Sequence, residues 1–208
     1  METHMTIAIL GSGNMAKGLA SVLGKAGYKV TLGSRNPAKA EAAETTVTDV
    51  KSAAAGGDIV FLAVPYSAAA ATLAAAGDLS GKILVDLSNP LNADYSGLAV
   101  GHDTSAAEEI QKLAPKARVV KAFNTIFASI FAQGGKVGGT PATVFIAGDD
   151  EKANATVAEI AGKAGFAVQQ SGALKVARYL EPLAFLNISL GYGKGLGTAI
   201  APAWLKAA

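Results

Sequence analysis

The chain has 208 residues, half of them hydrophobic and 16% charged, with a net charge of +2 from 18 basic and 16 acidic side chains. Apolar content on that scale serves one domain of generous size and excludes a disordered, solvating chain. The charge is too balanced for the electrostatic footprint of a nucleic-acid binder. There is no cysteine, which excludes disulfides, thiolate metal sites and a cysteine nucleophile, and two histidines, His4 and His102, argue against a histidine-based metal site. The residues Met1 to Thr6 are short and polar, unlike an export signal. No uncharged stretch reaches the roughly 20 apolar residues that span a bilayer. The expectation is a cytoplasmic protein with no membrane and no nucleic-acid partner.

Short apolar runs alternate with Ala-rich helical stretches. Ile7-Ala8-Ile9-Leu10 reads as a buried strand ending at Gly11. Asn14 to Ala26 has helical spacing and is stopped by Gly27. Lys29 to Leu32 is a second strand, and Pro37 opens a helical segment continuing through Ala38 to Glu44. Asp58 to Val64 is a strand stopped by Pro65; Ser67 to Ala76 is helical; Lys82 to Leu87 is a strand stopped by Asn89-Pro90. A helix over Ser105 to Leu113 precedes a strand over Arg118 to Phe123. Two further strands, Thr143 to Ala147 and Phe166 to Gln170, flank a helix over Glu151 to Ala164. From Ala173 the chain is apolar with helical spacing, and Arg178 and Glu181 are placed to pair at i, i+3.

Strands that alternate with helices and read as continuous apolar runs imply a parallel sheet covered on both faces, the doubly wound α/β architecture. Gln133 to Pro141, rich in glycine, is the best place for a crossing between parts. The chain is therefore divided into a dinucleotide-binding domain over 5–140 and a small C-terminal helical lobe over 141–208.

The first strand runs directly into Gly11-Ser12-Gly13-Asn14-Met15-Ala16, a G-x-G-x-x-A pattern that opens a helix. Gly11 permits the turn and Gly13 lets a pyrophosphate approach the backbone. Ala16, with Gly18 close behind, lets the helix pack near the strand. The helix N-terminus presents free amides and a partial positive charge to the phosphates. This is the fingerprint of a Rossmann dinucleotide site.

An NAD site carries an acid at the end of the second strand. Here that region reads Leu32-Gly33-Ser34-Arg35-Asn36-Pro37, and residues 3 to 40 contain no acid at all. A 2′-phosphate would meet the Ser34 hydroxyl, the Arg35 guanidinium and the Asn36 amide, so NADP is the cofactor implied.

The remaining strand ends carry Val64-Pro65-Tyr66, Asp86-Leu87-Ser88-Asn89-Pro90 and Ala122-Phe123-Asn124-Thr125. Ligands in open α/β sheets sit beyond these carboxyl ends. Asn89 and Asn124 offer amides, and Ser88 and Thr125 hydroxyls, to a nicotinamide carboxamide, with Val64, Pro65 and Ala122 as neighbouring wall. No acid–base constellation accompanies them. Asp86, inside an apolar strand, reads as a hydrogen-bonded carboxylate holding a loop, and the Lys121 stem as one that snorkels. Hydride transfer between two stacked ring systems needs no such constellation, because the cofactors supply the chemistry.

Together Ile7 to Met15, Gly33-Ser34-Arg35, Val64-Pro65, Lys121 to Thr125 and Gly172 to Pro182 resemble the F420-dependent NADP oxidoreductases. The resemblance implies an NADP-binding Rossmann domain, a small C-terminal lobe and a homodimer, with the second ring system over the nicotinamide. It implies that Ser12, Asn14 and Met15 form the phosphate-binding turn and that Ser34 and Arg35 hold the 2′-phosphate. Archaeal members carry a histidine where this chain has Asn124. The Phe-Asn-Thr version is similar to the cytoplasmic domain of six-transmembrane metalloreductases, which pass electrons through a flavin. Coenzyme F420, FMN and FAD are thus all acceptors to weigh. Two other readings stand beside these, an NADPH-dependent reductase of a small carbonyl or imine and a non-catalytic NADP sensor. If Arg35 is the selector, Arg35→Ala weakens NADPH binding at least about tenfold, or about 1.4 kcal/mol, and leaves NADH binding unchanged in a titration. Equal losses for both cofactors would remove Arg35 from that role.

Overall fold

The computed structural model describes residues 5–40 and 45–204. Its centre is an eight-stranded sheet. In chain order the main elements are β1 (Thr6–Leu10), α1 (Asn14–Lys25), β2 (Lys29–Gly33), β3 (Thr46–Thr48), α2 (Val50–Gly56), β4 (Ile59–Leu62), α3 (Tyr66–Ala76), β5 (Ile83–Asp86), α4 (Ala106–Leu113) and β6 (Arg118–Lys121). They continue with α5 (Ala128–Ala132), β7 (Lys136–Val137), β8 (Thr140–Pro141), β9 (Thr143–Gly148), α6 (Glu151–Lys163), β10 (Ala167–Gly172) and α7 (Ala177–Ile188). The sheet order is β10-β9-β6-β5-β4-β1-β2-β3. Strands β3 to β6 in that order, 3-2-1-4-5-6, are the doubly wound Rossmann arrangement, with its switch point between β1 and β4.

Every pairing among those six strands is parallel. The exception in the sheet is the junction of β6 with β9, which is antiparallel; β10 then runs parallel to β9. The sheet therefore continues past position 140, and the hairpin β7–β8 lies just before it. After β10 the chain is helical through α7 and a π-helical turn at Ser189–Gly193.

Covering on both faces explains the unbroken apolar strands. Ile7 and Ile9 join one buried cluster with Leu19, Leu23, Phe61 and Val157. Ala8 and Leu10 join the other with Leu62, Leu73, Leu84 and Ile110. The central strands β1, β4, β5, β6 and β9 bury both of their faces, so alternation does not appear in their sequences.

The expected elements are present within a few residues, with five differences, one of them the β7–β8 hairpin where a crossing was expected. Pro37–Lys39 is a single 3-10 turn, and the rest of the expected helix toward Glu44 lies partly outside the described residues. Strand β3, helix α2 and helix α5 were not anticipated. Helix α2 begins where Asp49 accepts the Ser52 N–H at 2.9 Å, an N-cap whose sequence signal was present.

Gly18 also works differently from expectation. A Cβ there would stand 2.9 Å from Phe131 Cβ, so its smallness lets α1 meet α5 rather than the strand. Gly18→Val forces those helices apart, and overpacking of this kind costs about 1–3 kcal/mol. A urea unfolding midpoint measured against the parent reads the loss, and an unchanged midpoint would show that the helices yield freely.

Candidate functional site

The site lies beyond the carboxyl ends of β1, β4, β5 and β6. Gly11 has φ +136°, and a Cβ on it would run into the Ala63 carbonyl at the end of β4. Only glycine allows β1 and β4 to close so tightly at the switch point. A Cβ on Gly13 would meet nothing within 4 Å, so the space before it is open. Gly13 caps α1 without any side-chain acceptor, which leaves the first-turn amides facing that space.

Three connected cavities follow. The first, about 320 Å³, is lined by Gly11, Ser12, Gly13, Ser34, Arg35, Asn36 and Lys39. It has two cations and no carboxylate in its wall. Ser34 is buried, and its Oγ accepts the Asn36 N–H at 3.2 Å and lies 3.2 Å from Ser12 Oγ. The two hydroxyls anticipated separately thus form one pair. Gly13, Val64 and Pro65 also line the second cavity, about 550 Å³, with Asn14, Met15 and Asn89. Met15, Leu87, Asn89, Leu91 and Tyr95 then carry the wall into the third, about 820 Å³. This chamber is completed by Asn124 to Ala128 and by Ala184, Phe185, Asn187 and Tyr192 from the C-terminal segment. Among the described residues, no Asp, Glu, His, Lys or Arg lines it.

The floor of the chamber is held by amides. Asn89 Nδ2 donates to the Asn124 carbonyl at 2.8 Å, and Asn124 Nδ2 donates to Asn89 Oδ1 at 3.0 Å and to the Leu180 carbonyl at 2.9 Å. Both donors of Asn124 face acceptors, which fixes its orientation and leaves Oδ1 as the free acceptor of the amide. Asn124 Oδ1 and Thr125 Oγ1 are buried with no partner in the protein, an arrangement suited to a carboxamide that donates and accepts. The first cavity fits a 2′-phosphate, the open amides fit a pyrophosphate, and these orphans fit a nicotinamide.

Phe123, just before Asn124, has φ +61° and no exposure. A bulky residue in the left-handed region is strained. It is held there by edge-on packing against Phe61 at 6.1 Å and Phe166 at 5.6 Å. That bend turns the chain from β6 to present Asn124 and Thr125. Ala122, anticipated as part of the wall, is instead enclosed in the core with no exposure, and its N–H donates to the Asp86 carbonyl at 3.1 Å.

Beneath this floor sits a buried ion cluster. Lys121 Nζ lies 2.6 Å from Asp86 Oδ2 and 2.8 Å from Glu181 Oε1, and donates to the Ser88 carbonyl at 2.6 Å. The three side chains are 0%, 0% and 1% exposed. Glu181 also accepts the Ala106 and Ala107 N–H groups at the start of α4, at 2.9 and 3.2 Å. Burial pulls the Lys121 ammonium down, but the two carboxylates outweigh it and hold its pKa above the ordinary value. Burial pushes the Glu181 carboxyl up against the pull of Lys121.

Lys121 therefore does not snorkel, and Asp86 is the loop-holding carboxylate anticipated, with its Oδ1 accepting the Ser88 N–H at 2.8 Å. The expected pair of Arg178 with Glu181 does not form. Arg178 instead grips Glu108 with two bonds, at 2.9 and 2.7 Å. The sequence reading missed Phe127, Asn187 and Tyr95, which no local signal marked.

The geometry agrees with what the chain is similar to. Residues 6–90 match the family described as NADP oxidoreductase, coenzyme F420-dependent. The F420-dependent NADP reductase of Methanothermobacter thermautotrophicus is 32% identical over 208 residues, covering 89% of each chain. The chain belongs to the F420-dependent NADP oxidoreductase family. A crystal structure of a proposed F420-dependent NADP reductase from Arthrobacter sp. FB24 superposes with a TM-score of 0.84 at 33% identity, covering 93% of this chain and 96% of that one. The metalloreductase STEAP3 of Rattus norvegicus is 36% identical over 180 residues, covering 85% of this chain and 36% of its own. This chain thus spans little more than a third of that relative's length. No described helix is long and apolar enough to cross a membrane.

Lys121→Met leaves Asp86 and Glu181 buried and unpaired at neutral pH, which costs about 3–5 kcal/mol. Protonation removes that penalty. The stability gap from the parent should therefore narrow as pH falls toward the ordinary glutamate value of 4.5, since burial already raises Glu181. Urea unfolding at several pH values reads both effects, and a pH-independent gap would show that lost packing, not charge, is responsible.

Proposed function

We propose that this protein moves a hydride between NADP(H) and the ring of a deazaflavin or flavin laid directly against the nicotinamide. The observation that carries the reading is the 820 Å³ chamber, which begins where the dinucleotide trench ends and has no carboxylate, imidazole, ammonium or guanidinium in its wall. A ketone or imine reductase has to deliver a proton to its substrate. Asp86 and Lys121, the carboxylate and ammonium considered for that task, are fully buried and bound to each other, and the titratable side chains that line the chamber among the described residues are the phenols of Tyr95 and Tyr192. Bound NADPH would supply the hydride.

The protein's part is to bind and to orient. Ser34, Arg35 and Asn36 hold the 2′-phosphate, and Ser12, Gly13, Asn14 and Met15 hold the pyrophosphate through open amides at the head of α1. Val64 and Pro65 form the wall beside the ribose. Asn124 Oδ1 and Thr125 Oγ1 fix the carboxamide, with Asn89 bracing Asn124, so that the nicotinamide presents one face to the chamber. The apolar lining excludes water from the space between the rings and holds them at near-attack distance.

The chain is proposed to work as a cytoplasmic homodimer. The side chains supporting that are Tyr179, Leu186, Leu196 and Trp204, each more than half exposed on or beyond α7. The segment from 141 onward acts as the lobe that completes the chamber.

Anaerobic mixing with NADPH and oxidised F420, FMN or FAD tests the main reading. Catalytic bleaching of at least one ring is expected. Tight NADPH binding with none of them bleached would defeat it and return attention to small substrates or to a sensor.

A further inference from the structure

A fourth cavity, about 570 Å³, opens off the chamber and has no part in the reading above. Phe127, Ala128 and Tyr192 line both spaces. Tyr192 stands at the passage, 71% exposed, with its ring edge-on to Phe127 at 5.7 Å. Beyond it the wall changes character. The chamber has no cation, whereas this cavity is lined by Lys17, Ser21, Ser129 and Thr198. It has no carboxylate, and among the described residues Lys17 forms no ion pair. Lys17 lies on α1 close to its N-terminus, where the helix adds its own positive end.

We propose that this cavity takes the anionic side chain of the ring acceptor, a phosphate-bearing tail, with Lys17 as its counter-charge and Tyr192 at the passage. The inference rests on the ring-acceptor reading of the chamber. A redox ring seated in an apolar chamber must lead its polar side chain somewhere. Of the two cavities that share the chamber's walls, the one along Gly13, Val64 and Pro65 is taken by the dinucleotide. The other offers a free ammonium and hydroxyls. An exposed ammonium beside a phosphate gives a charge-assisted contact, enough for about a tenfold preference at low salt, and salt weakens it.

The test uses matched pairs that differ in the charged tail: FMN against riboflavin, and F420 against its phosphate-free riboside core. Binding is read by fluorescence quenching of each oxidised ring on the full chain loaded with NADP+, so that no turnover intervenes. The phosphate-bearing member of a pair should bind about tenfold more tightly. Lys17→Met should erase that gap without altering the affinity for the phosphate-free member or for NADP+, and Lys17→Arg should retain it. No gap in the parent protein, as expected if a second copy of the chain fills the cavity, or a gap that survives Lys17→Met, would overturn the proposal. If no ring of either pair binds while NADP+ does, the ring-acceptor reading itself fails and this inference falls with it.

Discussion

The cleft depends on one buried ammonium. Lys121 closes its charge against Asp86 on the neighbouring strand and Glu181 on α7, and Glu181 in turn caps α4 through two backbone N–H groups. Four elements separated by up to 95 residues in sequence, from Asp86 to Glu181, thereby share a single geometry. Glu181 lies at the positive end of α4, whose first amides donate to it. An arrangement with any partner withdrawn would strand a charge in the core, at a cost of several kcal/mol. Competing packings of α7 on the sheet are excluded for that reason.

What the cluster positions is immediately above it. Leu180, the residue before Glu181, accepts from Asn124, and Asn187, two turns on, donates to the Thr125 carbonyl at 3.1 Å. Docking α7 thus brings a wall of the chamber to the end of β6 and orients the side chains there. Phe123 contributes from the other direction. Its left-handed backbone is unfavourable alone and is sustained by the phenyl rings around it, an instance of local strain maintained by packing where the chain must turn toward a ligand.

The trench is electrostatically divided. Its first cavity has Arg35 and Lys39 and no acid. Its last has no ionisable carboxylate or base. A dinucleotide phosphate is strongly hydrated and is held by charge and amides; a ring stacked on a nicotinamide is held by exclusion of water and by shape. The two ends of the trench match those two requirements.

The sequence by itself determined the sheet, the fingerprint and the charge preference at the second strand. Each is written in contiguous residues: Ile7 to Ala16 is one strand, turn and helix, and Gly33-Ser34-Arg35 is one loop. It was silent on α2, whose Ala-rich stretch has no clear apolar period, and on α5, which is only five residues long. It misassigned the partners of Arg178 and Glu181, because i, i+3 spacing favours a helical neighbour while burial rewards whichever opposite charge arrives with the least exposure to water. Only the tertiary structure decided that Glu108 and Lys121 were those charges, and that Asn124, Thr125, Asn187, Tyr95 and Tyr192 share one chamber. Those chamber residues come from three separate segments, and no local pattern encodes a meeting that exists only after the sheet has formed and α7 has closed over it.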